Sequence, residues 1–518
     1  MGRKLEHPCS NSHSRPSFFF HFLVCKANPF WVQLTYFIFL SLLGFAALSM
    51  SKPRTNTFWP DNIDVFFTSV SAATVSSMST VEMEVFSDTQ LIIMTVLMLV
   101  GGEVFTSMLG LQLAKSRFRK HESPGGDRRV NSMNHEIQLN TMSIANEKHG
   151  TDLESNMISS SNTKSLKYNA TTCLGYVVLG YLLVVHVVGS GLVSVYVSMV
   201  PSAREILKTK GIKIQTFSFF TIVSTFSNCG FIPTNENMIV FKKNSGLLLM
   251  LIPQVLLGNT LYPACLRASI WVLDRMTNKV EFNYILKNHK EMGYGHLFSG
   301  VQCSLLAATV FGFVSVQFVM FCLMEWNSEG LDGLSWYQKL VGSLFTVVNS
   351  RHTGELIVDL SIVSSAILVL FVVMMYLPAY TSFIPPKYQK EESGKERVGE
   401  SEAPRKSILE CVLWSHLSYL AIFIILICIT ERHKLKEDPL NFNVLNITIE
   451  VVSAYGNVGF STGYSCKRRV KGEMGCTDTW AGFVGRWSNT GKFILILVMF
   501  FGRLKSFSFK SGEAWKLS

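Results

Sequence analysis

The sequence predicts an all-α polytopic membrane protein, built as four repeats of a membrane helix, a re-entrant pore loop and a second membrane helix. Of the 518 residues, 48% are hydrophobic and 16% are charged, whereas soluble proteins carry about 25% charged residues. Apolar runs near the ~20 residues that span a bilayer as a helix recur along the chain. Between pairs of these runs lie shorter apolar segments that end in glycine-rich strands. Such segments are too short to cross a bilayer and too rich in glycine to remain helical.

The re-entrant loops identify the four repeats. Residues 453–460 (SAYGNVGF) align without a gap with residues 224–231 (STFSNCGF), and residues 219–225 (FFTIVST) align with residues 66–72 (FFTSVSA). Residues 344–354 (LFTVVNSRHTG) form a third loop of the same kind, which is one residue shorter between the Phe-Thr pair and the glycine. The alignment makes four positions equivalent, namely Ser77, Gly230, Gly354 and Gly459.

The order of the apolar runs predicts the membrane topology. We expect eight transmembrane helices, at residues 30–50, 91–113, 174–200, 247–266, 301–324, 361–380, 408–429 and 493–502. An even number of crossings puts both termini on one side of the membrane. The chain then divides into a cytoplasmic segment (1–28), four repeats (29–115, 171–268, 300–385 and 407–518) and three cytoplasmic linkers (116–170, 269–299 and 386–406).

The net charge of +11 follows the pattern of a membrane protein. Lys and Arg cluster between apolar runs, as in residues 115–120 (KSRFRK), and the positive-inside rule then places these loops and both termini in the cytoplasm. This distribution argues against nucleic acid as the partner of the basic residues. Residues 467–471 (KRRVK) would lie outside the cell, but orientation follows the summed bias of several loops, so we retain this topology.

The sequence contains no pattern that indicates a cofactor site or an enzyme. The 11 cysteines include no CxxC pair and no His/Cys cluster at zinc spacing, and the chain has no Walker loop and no HExxH motif. His186 stands alone in an apolar run, where we expect it to pack in the core. We therefore expect neither a cofactor nor catalysis. Cys466 and Cys476 bracket a polar loop outside the cell, and a disulfide between them is one of two open possibilities.

The four loops predict one central pore for cations. A short helix that ends at a glycine-rich strand directs backbone carbonyls towards an axis, and four such strands can replace the water shell of an ion. The C-terminal ends of the short helices add partial negative charge. Four carboxylates follow the aligned positions and could form an electronegative vestibule, or could equally be ordinary solvated or ion-paired groups, namely Glu82, Glu84, Glu236 and Glu355.

Six short segments carry a resemblance to a known family, namely residues 77–84 (SMSTVEME), 228–236 (NCGFIPTNE), 349–355 (NSRHTGE), 457–460 (NVGF), 18–23 (FFFHFL) and 26–31 (KANPFW). Together they resemble the plant high-affinity potassium transporter (HKT) family, which is related to the microbial Trk and Ktr transporters. The resemblance runs in order through nearly the whole chain except the linkers. It implies a multi-pass protein of the plasma membrane that moves Na⁺ passively in a plant, as a homodimer with two separate pores.

The resemblance also assigns roles to residues. It implies that Na⁺ binds at the filter residues Ser77, Gly230, Gly354 and Gly459, with Asn228, His352 and Asn457 as filter support. A serine at the first filter position resembles the sodium-selective class I subfamily. The physical reading agrees, because a β-carbon and a hydroxyl break the four-fold carbonyl cage and disfavour the larger K⁺ ion. Some members with serine also move K⁺, so a Na⁺/K⁺ co-transporter or a K⁺-permeable transporter is the alternative.

Three basic residues flank or enter the last apolar run, where charges are costly and usually have a partner or a role. The resemblance places one of them beside the permeation path, near an internal constriction. Arg503 matches best and Lys492 second, whereas we expect Arg486 to snorkel to the interface. Related microbial sequences break the second helix of the third repeat with glycines. Residues 361–380 contain no glycine, so we expect no break of that kind there.

Overall fold

The computed structural model describes residues 29–54, 59–121, 151–381, 416–469, 476, 478–479 and 482–505. The predicted segment 1–28 and the linker 386–406 lie outside the described residues. Within the described part, the chain forms 17 α-helices, and its β structure is a single isolated bridge between Tyr464 and Thr479. The predicted all-α class is therefore confirmed.

The helices follow the order of the four predicted repeats. Repeat one contains α1 (Pro29–Met50), α2 (Asn62–Ala73), α3 (Asp88–Gly101) and α4 (Glu103–His121). Repeat two contains α5 (Thr151–Met199), α6 (Pro201–Thr209), α7 (Ile214–Phe226), α8 (Ser245–Gly258) and α9 (Tyr262–Thr277), and α10 (Val280–Lys287) follows. Repeat three contains α11 (Gly300–Glu325), α12 (Trp336–Asn349) and α13 (Ser365–Tyr376). Repeat four contains α14 (His416–Thr430), α15 (Arg432–Glu437), α16 (Val444–Gly456) and α17 (Asn489–Lys505).

The pore helices are α2, α7, α12 and α16, and they are short and buried. They contain between 12 and 14 residues, so at 1.5 Å per residue they reach roughly 20 Å, less than the ~30 Å of a bilayer core. The outer helices instead expose apolar side chains, as Val187 of α5 does at 67% and Leu323 of α11 at 80%. Lipid would cover such residues, because an aqueous surface this apolar would be unstable.

Two of the four second helices are bent and a third is short, which corrects the predicted crossings 91–113, 247–266 and 361–380. Helices α3 and α4 meet at Gly102 with a bend of 57°, and α8 and α9 meet near Asn259 with a bend of 86°. Helix α13 ends at Tyr376. Residues 361–380 contain no glycine, but Pro378 follows the end of α13 and cannot continue a helix.

A glycine on the second helix of repeats one, two and four lies against the end of a pore helix. A β-carbon built on Gly101, Gly258 or Gly502 would overlap the carbonyl oxygen of a residue near the C-terminus of the pore helix of the same repeat. These carbonyls belong to Ala73, Phe226 and Tyr455. The absence of a side chain therefore lets the two helices approach closely.

The predicted number of eight crossings remains a prediction. Among the described residues, three helices are long and apolar enough to span a membrane, or up to five if each bent pair counts as one span. Of the three other predicted crossings, two correspond to the shorter apolar helices α13 and α14, and the third lies within α17. The predicted linker 116–170 is helical at both of its ends, because α4 continues to His121 and α5 begins at Thr151.

Candidate functional site

The four aligned positions lie side by side. A β-carbon built on Gly230 would overlap the backbone carbonyl of Thr353, and one on Gly354 would overlap that of Val458. A β-carbon on Gly459 would overlap the side chain of Ser77. Repeats one and two also meet, because the Glu84 amide donates to the Asn235 side chain at 2.9 Å, and this contact closes the circle of repeats. Repeats one, two, three and four are therefore neighbours in that order around the ring.

The backbone at all four positions is in the left-handed region. The φ angle is 92° at Gly230, 71° at Gly354 and 100° at Gly459, and it is 53° at Ser77. Glycine adopts these angles freely, but a residue with a β-carbon costs about 1–2 kcal/mol there. The surrounding structure therefore holds Ser77 in a conformation that the other three positions adopt without strain.

Pore-helix residues hold the filter glycines from behind. The amides of Gly230 and Gly459 donate to the hydroxyls of Ser224 and Ser453, both at 3.0 Å. In repeat three, the amide of Gly354 donates instead to the carbonyl of a pore-helix residue at 3.1 Å. These serines were not singled out from the sequence, although the alignment of residues 224–231 with residues 453–460 contains both of them.

Two of the three predicted support residues join neighbouring repeats. The Asn457 amide nitrogen donates to the Ser76 hydroxyl at 2.6 Å, which links repeats four and one. The Thr353 hydroxyl donates to the side-chain amide oxygen of Asn228 at 2.8 Å, which links repeats three and two. His352 is buried at the same level. Its role in supporting the filter remains a prediction.

An inner cavity of about 300 Å³ lies on one side of the ring. Each repeat contributes to its lining the residue two positions before its filter residue, namely Val75, Asn228, His352 and Asn457. The four pore helices end here, and the partial negative charge of their C-termini favours a cation in the cavity.

An outer cavity of about 460 Å³ lies on the other side of the ring. It is lined by residues that follow the filter in repeats one and four, among them Ser79, Glu82, Thr479 and Gly482, and by Asn235 of repeat two. The inner cavity therefore lies at the C-terminal ends of the pore helices, and the outer cavity lies beside the segments that follow the filter in repeats one and four.

The four predicted vestibule carboxylates occupy three different environments. Glu82 lines the outer cavity. Glu84 and Glu236 both form salt bridges with the ammonium group of Lys210, at 2.6 Å for Glu236. Burial alone would lower the pKa of Lys210, but the hydrogen bonds from its ammonium group to Glu236 and Glu84 raise it above its usual value.

The prediction is wrong for Glu355, which is fully buried behind the filter and cannot line an open vestibule. The Thr225 hydroxyl donates to its carboxylate. The chain turns inward after Gly354, and the next amide, that of Leu356, donates to the side chain of Asn237 at 3.2 Å. Glu355 is next to Gly354 in the sequence, but its carboxylate is buried behind the filter and lies outside the vestibule.

A second buried carboxylate, Glu450, was not identified from the sequence. It accepts a hydrogen bond from the Ser461 hydroxyl at 2.7 Å and another from the Thr462 amide at 3.1 Å. It thereby ties pore helix α16 to the segment that follows Gly459. The signal was available in the alignment, because the other three repeats have a threonine at this position, namely Thr68, Thr221 and Thr346.

The two basic residues predicted to lie near the inner constriction are at opposite ends of α17. Arg503 lines the inner cavity, and its guanidinium donates to the carbonyl of Gly101 and lies 5.3 Å from the centre of the Phe37 ring. Lys492 lies 11 residues earlier, roughly 16 Å along the helix. It is buried and forms a 2.6 Å salt bridge with Asp64, which lines the outer cavity. The inner placement predicted for Lys492 is therefore wrong.

Other residues of the inner cavity were not identified from the sequence. Lys505 lines the cavity and donates to the Tyr455 carbonyl at 3.0 Å. The non-helical segment after α13 also lines it, and Arg351 donates to the Pro378 carbonyl of this segment at 2.7 Å. Leu377 of this segment therefore lines the same cavity as Asn259 of repeat two and Arg503 of repeat four.

Two further observations concern a disulfide in the loop before α17 and possible metal ligands. Cys466 and Cys476 form a disulfide, which settles the open possibility. The residues that the structure describes contain no group of three or more His, Cys, Asp or Glu side chains that could hold a metal ion.

Comparisons with known proteins agree on one family. Residues 136–510 match the TrkH family, described as a cation transport protein. "Sodium transporter HKT1" of Arabidopsis thaliana is 55% identical over 91% of this chain and 92% of its own length. "Cation transporter HKT1;3" of Oryza sativa is 49% identical over 95% of this chain and 92% of its own length. The crystal structure of the potassium transporter TrkH from Vibrio parahaemolyticus covers 93% of this chain and 84% of its own, with a TM-score of 0.50. At 13% identity, that last likeness concerns the fold.

Proposed function

The chain belongs to the TrkH family of cation transport proteins, and we propose that it is a passive, sodium-selective transporter of the plasma membrane. Cations cross between the outer and inner cavities through the ring of Ser77, Gly230, Gly354 and Gly459. The backbone carbonyls of the ring replace the water shell of the ion, and the ends of the four pore helices stabilise its charge.

The observation that carries this proposal is the ring itself. Three of its members approach the next repeat so closely that a β-carbon would overlap it. The fourth member, Ser77, has a β-carbon and a hydroxyl, which lie beside Gly459. One quadrant therefore carries a β-carbon and a hydroxyl that the other three lack, which supports a role for Ser77 in the selection of Na⁺ over K⁺. The 55% identity with a protein named a sodium transporter supports the same choice.

The assembly and orientation belong to the same proposal. One chain supplies all four quadrants of the ring, which supports one pore per chain. We infer a homodimer with two separate pores, both termini in the cytoplasm, and a role in the balance of Na⁺ and K⁺ in a plant. The inner cavity, with Arg503 and Lys505 in its lining, would then open towards the cytoplasm.

Reversal potentials in oocytes test the selectivity. External Na⁺ and K⁺ are varied separately for the wild type, Ser77→Ala and Ser77→Gly, at matched surface expression. We expect the wild type to follow Na⁺ alone. Ser77→Gly should also follow K⁺, because it removes the β-carbon and relieves the positive φ. Ser77→Ala keeps the β-carbon, so it shows whether that carbon or the hydroxyl excludes K⁺.

Each alternative outcome overturns a specific part of the proposal. A wild type that follows both ions would indicate a Na⁺/K⁺ co-transporter or a K⁺-permeable transporter. A Ser77→Gly variant that still follows Na⁺ alone would remove Ser77 from the selectivity mechanism. Well-expressed surface protein without any current would contradict the proposed pore.

A further inference from the structure

A lysine from outside the repeat alignment lies between two of the carboxylates that follow the filter. The Lys210 ammonium forms salt bridges with Glu84, from repeat one, and with Glu236, from repeat two. Their side chains are between 17% and 29% exposed, so the three groups are partly shielded from water. Screening by salt therefore weakens this cluster less than it weakens a fully exposed pair.

The surrounding contacts hold the lysine in place. The Arg54 guanidinium donates to the carbonyls of both Lys210 and Gly211 at 2.6 Å. The cluster is also connected to the outer cavity through Asn235. The Asn235 side-chain oxygen accepts from the backbone amide of Glu84 at 2.9 Å, and the backbone amide of Asn235 donates to the Glu84 carboxylate at 3.1 Å. Asn235 also lines the outer cavity.

The cluster has a net charge of −1, from two carboxylates and one ammonium group. Burial alone would lower the pKa of the Lys210 ammonium, but the hydrogen bonds to Glu236 and Glu84 raise it above the usual value of a lysine, so the ammonium remains protonated at physiological pH. Without Lys210 the cluster would have a net charge of −2, and no cation would lie between the carboxylates of Glu84 and Glu236.

We propose that Lys210 is a tethered cation that sets the charge of the outer mouth and thereby controls which external cations accumulate there. This inference rests on the proposed transport of Na⁺ through the ring. Lys210 occupies the space between Glu84 and Glu236 that a diffusible cation would otherwise take. It keeps the mouth attractive to a monovalent ion, and it denies divalent ions a pair of free carboxylates.

The size of the effect follows from Coulomb's law. One unit charge about 10 Å from an ion in water changes the local ion concentration roughly twofold, and a Debye length of about 10 Å at 0.1 M salt reduces this change. The effect on Na⁺ entry should therefore be modest at low ionic strength and should disappear at high ionic strength.

The experiment compares Lys210→Gln with Lys213→Gln in oocytes. Lys213 is a matched control, because it also pairs with a carboxylate, Asp88 at 2.8 Å, but its side chain is 72% exposed and it contacts neither Glu84 nor Glu236. For Lys210→Gln we expect the external Na⁺ concentration at half-maximal inward current to fall about twofold at low ionic strength. External Ca²⁺ should also inhibit this variant more strongly than the wild type. Lys213→Gln should match the wild type in both respects.

A double variant separates charge from structure. Lys210→Gln combined with Glu84→Gln restores the net charge of −1 and should restore both readouts towards the wild type. If the double variant keeps the altered readouts, or if Lys210→Gln matches Lys213→Gln at equal surface expression, the inference is overturned. A wild type without Na⁺ current would instead overturn the proposed function, so the two failures are distinguishable.

Discussion

At the scale of single residues, two departures from the internal repeat lie in or behind the filter. Ser77 stands where three repeats have glycine, and Glu450 of pore helix α16 stands where three repeats have threonine. Ser77 adds a hydroxyl that the other three filter positions lack, and Glu450 adds a carboxylate where the other three repeats have a hydroxyl. The backbone of the four repeats has a four-fold arrangement, but the side chains at these positions do not. Ion selection can therefore depend on the positions at which one repeat differs from the other three.

Glu450 provides the first prediction. Its carboxylate is fully buried and accepts hydrogen bonds from Ser461 and Thr462. Glu450→Ala leaves both donors unsatisfied, at about 1–3 kcal/mol each, whereas the side-chain oxygen of Glu450→Gln can accept both. We expect Glu450→Ala to lower the melting temperature of the purified protein and its surface expression, and Glu450→Gln to retain both. Fluorescence-detected thermal unfolding in detergent measures the difference.

The control for this prediction is Glu205→Ala, which removes an exposed carboxylate from α6. It should leave the melting temperature unchanged, because surface substitutions away from special contacts have small effects. A melting temperature of Glu450→Ala equal to that of Glu205→Ala would show that the two hydrogen bonds do not hold the filter segment.

The chemistry of single residues also marks the limit of prediction from the sequence. The filter positions followed from an alignment, because equivalent backbone positions must recur in equivalent loops. Glu355 was placed in the vestibule only because it follows Gly354, and spacing along the chain does not say which side of the filter a side chain meets. Lys492 was placed near the inner constriction by resemblance, but its partner Asp64 is at the opposite end of the pore.

At the scale of elements, the second helix of each repeat determines the shape of the inner cavity. In repeats one and two this helix ends at a glycine, in repeat three it ends before Pro378, and in repeat four it continues to Lys505. Because α17 continues, it carries Arg503 to the level where the other three helices stop. The inner cavity therefore has one helical wall with basic residues and three walls of irregular backbone.

Gly258 provides the prediction at this scale. A β-carbon there would overlap the Phe226 carbonyl at the end of pore helix α7, and neither backbone can move without disturbing the filter. We expect Gly258→Ala to reduce surface expression and melting temperature strongly, as overpacking of a tight contact does. The same measurements on Gly101→Ala and Gly502→Ala should give losses of the same kind.

Gly180→Ala is the matched control, since it makes the same chemical change in helix α5. Nothing lies within 4 Å of a β-carbon at this position, and alanine is the better helix former by about 1 kcal/mol. This variant should be at least as stable as the wild type. If Gly258→Ala were equally stable, the close approach of α8 to α7 would not be required by the fold.

The elements themselves were largely predictable, and their breaks were not. Hydrophobicity and length distinguish a spanning helix from a short pore helix, so the pore helices were correctly predicted. A bend of 57° or 86° leaves the hydrophobicity of a run unchanged, so hydrophobicity alone predicts unbroken crossings at residues 91–113 and 247–266. In repeat three the absence of glycine argues only against a break made by glycines, and the helix ends at Tyr376, before Pro378.

At the scale of the whole molecule, the ring requires contacts between the first and last repeats. Asn457 donates to Ser76 across 381 residues of sequence, and Lys492 pairs with Asp64 across 428 residues. The ring is therefore complete only when the N-terminal and C-terminal repeats meet. This closure within one chain leads to the proposal that each subunit of a dimer has its own pore.

A tandem dimer tests that proposal. When one wild-type copy is fused to one Ser77→Gly copy, each pore should keep its own selectivity, because residues of one chain form each ring. We expect a K⁺ current that is half of the current of a tandem with Ser77→Gly in both copies, at equal surface expression, in either order of the two copies. The Na⁺ reversal potential should equal the value calculated for two independent conductances in parallel. A ring shared between chains would instead contain residues of both copies, and the mixed tandem would show a single new selectivity that no such sum reproduces.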